Sequence, residues 1–78
     1  MILLTSENCQ PCKAVKGFIE SNGIKDKVNY VDVKSPDGRK LVVDQSIKSV
    51  PVLISAAGSV SGFRPILEVL SAVAKGEG

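Results

Sequence analysis

Seventy-eight residues suffice for one domain spanning 1–78, and 44% apolar against 23% charged residues marks a globular rather than a disordered chain. A net charge of +2 is too small to argue for nucleic acid, and 4% aromatic residues leave no stacking platform for one. With no histidine, Ser-His-Asp triads, HExxH sites and zinc-deaminase chemistry are excluded, which leaves two cysteines to explain.

Ile2-Leu3-Leu4 reads as a short buried strand and residues 5–9 as a polar turn. Pro11 suits the first turn of a helix, and Ala14, Val15, Phe18 and Ile19 then recur at helical spacing as one apolar stripe. Asn22-Gly23 is a stop signal after which Ile24 can fold back on the last turn. β-branched residues and alternation predict a strand over 28–33. Ser35 and Pro36 are an N-cap and first helical residue, and the helix they open carries Leu41, Val42, Val43 and Ile47. Residues 52–61 form a predicted hairpin turning at Ala56-Ala57-Gly58-Ser59. Pro65 marks the first residue of a final helix whose apolar positions are Ile66, Leu67, Val69, Leu70, Val73 and Ala74. The order β-α-β-α-β-β-α predicts an α/β fold. A right-handed parallel crossover and an antiparallel hairpin make a four-stranded mixed sheet covered by three helices.

The N-terminus lacks a basic n-region and its apolar run stops at Thr5, too short for a signal peptide. No apolar stretch approaches the ~20 residues of a membrane helix. A cytoplasmic protein without a membrane role is therefore expected. In that reducing compartment a cysteine pair is catalytic or metal-binding more often than a permanent staple.

Cys9-Gln10-Pro11-Cys12 lies between a predicted strand and a predicted helix. Cys9 falls at or just before the helix N-terminus, where free N–H groups and the macrodipole favour an anion and lower a thiol's pKa. Cys12, three residues on, turns toward the helix and is less exposed. The pair can close a disulfide with little movement, so Cys12 can resolve a mixed disulfide formed on Cys9. Lys13 and Lys16 add positive charge in the same turns or simply make a solvated face. The first strand holds no acid that could act as a buried proton acceptor. As a staple the pair would do little, because closing so short a loop removes little chain entropy. As a metal site it supplies two thiolates only, so zinc or an iron–sulfur cluster would have to be shared between two chains. Pro51 precedes an apolar strand, and a Val50-Pro51 bond can be trans or cis.

With CQPC at 9–12, Ser49-Val50-Pro51 and Ser61-Gly62-Phe63-Arg64-Pro65, the chain resembles the thioredoxin superfamily over nearly its whole length. Within it, the chain is most similar to the glutaredoxin-like NrdH redoxins, whose Ser-Gly-Phe-Arg-Pro segment it shares. The resemblance implies a minimal thioredoxin fold, Cys9 as nucleophile, Cys12 as resolving cysteine and Pro51 as a cis-proline facing substrate. Gln10, Pro11, Val50, Ser61, Gly62, Phe63 and Arg64 complete the implied substrate surface. It also implies a monomeric thiol–disulfide oxidoreductase with no bound cofactor. Electrons would come from NADPH through thioredoxin reductase and pass to a disulfide protein such as class Ib ribonucleotide reductase. Two departures stand out: Val60 replaces the family's Trp, and Pro11 is closer to the thioredoxin motif. A glutathione-dependent glutaredoxin is the nearest alternative. Arg64 argues against it, because glutaredoxins place an acid there to receive the glutathione ammonium.

Overall fold

The computed structural model describes residues 1–56 and 58–76; Ala57, expected in the hairpin turn, lies outside the described residues, as do Glu77 and Gly78. In chain order the elements are β1 (Ile2–Thr5), α1 (Gln10–Ser21), a 3-10 turn (Lys25–Lys27), β2 (Asn29–Asp32), α2 (Pro36–Asp44), β3 (Val52–Ser55), β4 (Gly58–Ser61) and α3 (Phe63–Ala74). The sheet order is β2-β1-β3-β4, with β1 and β2 parallel and the other neighbours antiparallel. This is the expected mixed four-stranded sheet with three helices.

Local hydrogen-bond chemistry sets the helix ends. After α1, Gly23 adopts φ 67°, and the Gly23 and Ile24 amides donate back to the Glu20 and Ile19 carbonyls at 3.3 and 3.2 Å. That pattern satisfies carbonyls the helix leaves unpaired and brings buried Ile24 back onto the last turn. α2 ends the same way without a glycine. Ser46 takes φ 52°, and the Ser46 and Ile47 amides donate to the Val43 and Val42 carbonyls at 3.3 and 3.0 Å. Ile47, read from the sequence as part of this helix, therefore lies beyond its end. The apolar spacing continues across a cap that turns the backbone out of the helix.

Strand alternation divides the core. Leu3 and Leu53 are register partners and join Val15, Ile19, Ile66, Leu70 and Val73 in one cluster, so α1 and α3 cover this face of the sheet. Leu4 and Val52, also partners, are buried on the opposite face, where the chain after α2 meets Val52. Ala14 and Ala74 are exposed, unlike the core roles their spacing predicts. Small side chains at the stripe's edge are not drawn under when Val15, Ile19, Leu70 and Val73 already fill the interface. Phe18 and Tyr30 are half-buried against this cluster rather than within it. The hairpin also differs. Gly58 and Ser59, expected in the turn, belong to β4, and Ser55 pairs with Gly58.

α2 is seated by a compact turn. The Ser35 hydroxyl donates to the Asp32 carbonyl at 2.6 Å and accepts the Gly38 amide at 3.0 Å, capping the helix as its sequence predicts. Gly38 is buried against β2, and a Cβ there would fall on the Asp32 carbonyl and lie 2.8 Å from the Val33 Cα. Backbone cannot yield as a flexible side chain can. Gly38→Ala is expected to lower unfolding stability by about 2–3 kcal/mol, measured by denaturant titration, because α2 must lift off β2.

Tyr30 buries its hydroxyl without a hydrogen-bond partner among the described residues. Burial, and secondarily the charge of Glu20, raise its pKa. The folded state thus keeps the phenol proton to higher pH than the unfolded chain does. The associated stability is present below the unfolded pKa of about 10 and is lost as pH rises through the folded value. Tyr30→Phe keeps the ring and removes the hydroxyl. Its unfolding midpoint should equal or exceed that of the unmodified protein at neutral pH and lose less stability above about pH 10.

Candidate active site

β1 delivers the chain to the start of α1, where Cys9 is the N-cap in extended conformation (φ −102°, ψ 107°). Its sulfur accepts the Cys12 amide at 3.1 Å, in the place a Ser or Asp oxygen occupies in an ordinary cap. Pro11, in the same turn, has no amide to compete for it. The Cys9 amide donates to the Ser6 carbonyl at 3.4 Å and its carbonyl accepts from Lys13 at 3.2 Å, so the residue is held on both sides. Cys9 and Cys12 are joined as a disulfide with Cα atoms 5.1 Å apart. Cys9 is 9% exposed and Cys12 is 0% exposed. Of the two residues, only Cys9 has any surface open to solvent.

The sheet brings the other predicted site residues to the same end of the molecule. Leu4 pairs with Val52, so β1 leaves the sheet where β3 enters it, and Val52 pairs with Ser61, where β4 leaves it. The Val50–Pro51 peptide is cis, with Pro51 buried and Val50 half-buried. The Gly62 amide donates to the Pro51 carbonyl at 3.3 Å, which ties the 61–65 segment to the proline. Gly62 has φ 97° and caps α3, a backbone that an L side chain rarely adopts. α3 begins at Phe63, so Pro65 is its third residue and not its first. The position is tolerated because amides throughout the first turn lack intrahelical acceptors. Ser61, Gly62, Arg64, Gln10 and Pro11 are exposed. Phe63 is 38% exposed.

Val60 pairs with Leu53 and packs on the core cluster. The position where the resembled family has Trp thus serves the covered face of the sheet here.

Electrostatics around the pair are simple. Lys13 is exposed, whereas the Lys16 ammonium lies 5.4 Å over the Tyr30 ring and is drawn toward β2. Thr5 is the one buried polar residue among the described residues, so no carboxylate is buried behind the sulfurs. Among the described residues, no group of three or more His, Cys, Asp or Glu is placed to hold a metal ion. No helix among them is long and apolar enough to cross a membrane. One feature escaped the sequence reading, a trough beside the site whose walls include Val33, Val43 and Val50. Its signal is the run Leu41-Val42-Val43, wider than a single apolar stripe on a short helix can bury.

Comparison with known proteins agrees with this geometry. The chain is 35% identical over 63 residues to the glutaredoxin-like protein NrdH of Salmonella typhimurium, covering 81% of this chain and 76% of that one. A thioredoxin-like protein of known crystal structure superposes with a TM-score of 0.73 at 28% identity, over 92% of this chain and 96% of that one. A point mutant of it gives 0.71 at the same identity, over 90% and 92%. A thioredoxin from Thermus thermophilus, at 23% identity, shares the fold with a TM-score of 0.61 over 95% of this chain and 69% of its own. No protein-family model matches the chain.

The two exposures set an order of reactivity. In the reduced protein, alkylation followed by peptide mapping should find Cys9 modified first and Cys12 protected until the protein unfolds. The midpoint of the Cys9 rate against pH should lie below that of a free cysteine, because the capping amide and helix dipole favour its thiolate.

Proposed function

The chain belongs to the glutaredoxin-like NrdH family, and on that premise we propose that it is a dithiol redoxin that reduces protein disulfides. In this reading it is recharged by thioredoxin reductase and delivers electrons to ribonucleotide reductase. The observation that carries it is the pairing of an accessible sulfur at a helix N-terminus with a fully buried one three residues on. The reduced Cys9 thiolate, stabilised by the Cys12 amide and the α1 dipole, attacks one sulfur of a partner disulfide. A Cys9–partner bond forms and the partner's other sulfur leaves as a thiolate. Cys12 then attacks the Cys9 sulfur, releases the partner's second thiol and leaves the Cys9–Cys12 disulfide. Two electrons and two protons pass to the partner in total. With no buried carboxylate among the described residues, the Cys12 proton goes to the departing thiolate or to water.

The exposed loops shape what approaches. Gln10 and Pro11 border the reactive sulfur, and Val50 presents its backbone beside the cis-proline to an incoming chain. The Ser61–Arg64 segment, hung on the Pro51 carbonyl, forms the opposite wall. Arg64 in the first turn of α3 adds a cation to the positive pole of that helix, so the site disfavours the ammonium of glutathione. No bound cofactor is needed, since the dithiol carries the electrons and NADPH acts only at the reductase. A reducing compartment such as the cytoplasm keeps the pair in its working form.

Cys12→Ser removes the second step, so a Cys9-linked mixed disulfide should accumulate with a disulfide substrate and be visible by intact mass. Failure to recover any such adduct would sink the mechanism. The oxidised protein should be reduced by NADPH with thioredoxin reductase at least tenfold faster than by glutathione with its own reductase. The opposite order would make it a glutaredoxin.

A further inference from the structure

We infer that the pole of the molecule opposite the cysteine pair carries a binding site for a small anionic amphiphile, a free carboxylate with a short apolar body. The site takes no part in the sulfur chemistry and stands independently of the redoxin reading.

The core is closed unevenly at its two ends. At the cysteine end, Leu4, Thr5, Pro51 and Val52 are all buried. At the other end, Met1, just before β1, and Val69 of α3 pack on the core cluster yet stay half-buried. Ile2 pairs with Ile54, so the strand register sets Met1 beside Ser55 at the end of β3. Between these strand ends and the last turns of α3 lies a cavity of about 530 Å³, walled by Met1, Ala56, Val69 and Val73. That volume falls within the roughly 300–1,000 Å³ of ordinary small-molecule sites. Val73 is 8% exposed and belongs to the core cluster, so the cavity continues the core out to solvent. An apolar body placed there removes its own surface from water together with that of Met1 and Val69.

Polar groups at the mouth select the head group. Among the described residues, Lys27 and Ser55 are the polar side chains that line the cavity, and no acid lines it. The Lys27 carbonyl accepts from the Met1 nitrogen at 3.1 Å, and its amide donates to the Ile24 carbonyl at 3.0 Å. The backbone that carries the cation is therefore fixed at the rim. Asp26, beside it in the 3-10 turn, does not line the cavity. The opposing influence is the C-terminal pole of α3, which reaches the cavity at Gly76. That pole amounts to about half an elementary charge. The Lys75 and Gly76 amides already occupy the Ser71 and Val73 carbonyls there. The full charge of Lys27 outweighs it, so the mouth favours an anion. A cationic amphiphile would meet Lys27 as a like charge, and a small bare anion would leave the apolar walls wet.

The test is an NMR titration of the oxidised protein with octanoate, octylammonium, octanol and acetate. Octanoate should bind with a dissociation constant at least tenfold below those of octylammonium and acetate, and severalfold below that of octanol. It should shift the methyl signals of Met1, Val69 and Val73 and leave the Cys9 and Cys12 amides in place. Lys27→Glu, at an exposed position, should reverse the order of octanoate and octylammonium. Lys34→Glu, exposed beyond the other end of β2, makes the same change in net charge and should keep the original order. Val69→Phe fills the cavity and should weaken octanoate at least tenfold. Ala56→Phe, at an exposed wall position, gives the same reading where the core variant fails to fold. Equal affinity for octanoate and octylammonium, an order that Lys27→Glu leaves in place, or shifts that do not centre on Val69 and Val73 overturn the site. Acetate binding as tightly as octanoate means an adventitious ion only and overturns it as well. Co-sedimentation with phosphatidylglycerol vesicles in the absence of octanoate binding assigns this pole to a lipid surface and overturns the free ligand. None of these outcomes bears on the mixed disulfide sought with Cys12→Ser, so the redoxin reading stands or falls separately.

Discussion

The hydrogen bond from the Cys12 amide to the Cys9 sulfur, 3.1 Å long at the first turn of α1, is where the fold and the sulfur chemistry meet. A helix start must place its free amides on some acceptor. Here the acceptor is the Cys9 sulfur, which in the proposed mechanism is also the group that reacts. Position in the cap also sets exposure. Cys9 stays at the boundary, while Cys12, one turn in, is carried under the surface by the helix that the bond starts. In the proposed mechanism this difference in burial separates nucleophile from resolving group.

Because the reactive sulfur is fixed to α1, the remainder of the site must be brought to it. The sheet does this through register. Leu4 against Val52 and Val52 against Ser61 put the ends of three strands side by side, and the Gly62–Pro51 bond continues that ladder into the loops. The core beneath is a single cluster of aliphatic side chains between the sheet, α1 and α3, which leaves α2 lightly held. α2 contributes a backbone contact at Gly38 and a capped turn at Ser35. Its apolar surplus faces the trough beside the site.

Much of this was legible in the residue order. The CxxC spacing, the proline in the first turn of α1, the Asn22-Gly23 stop with Ile24 folding back and the Ser35-Pro36 helix entrance are local patterns. Each is decided by neighbours within five residues, so a linear reading captures it. The errors also share a cause. Ile47 keeps helical spacing, yet a left-handed Ser46 ends α2 before it, and serine carries a weaker stop signal than glycine. Ala14 and Ala74 keep spacing but are too small to compete for the interface.

By itself the sequence determined the alternation of elements, the helix N-terminus at Cys9, the absence of any histidine and the lack of an acid in the first strand to assist it. All are set by residue identity and short-range hydrogen bonding. Only the tertiary structure decided that Cys12 is sealed, that Pro51 and Gly62 are joined beside the sulfurs, and that Val33, Val43, Arg39 and Lys48 share one trough. Those relations link residues far apart in the chain. They depend on strand register and on how closely α2 approaches β2, and no spacing along the chain encodes either distance.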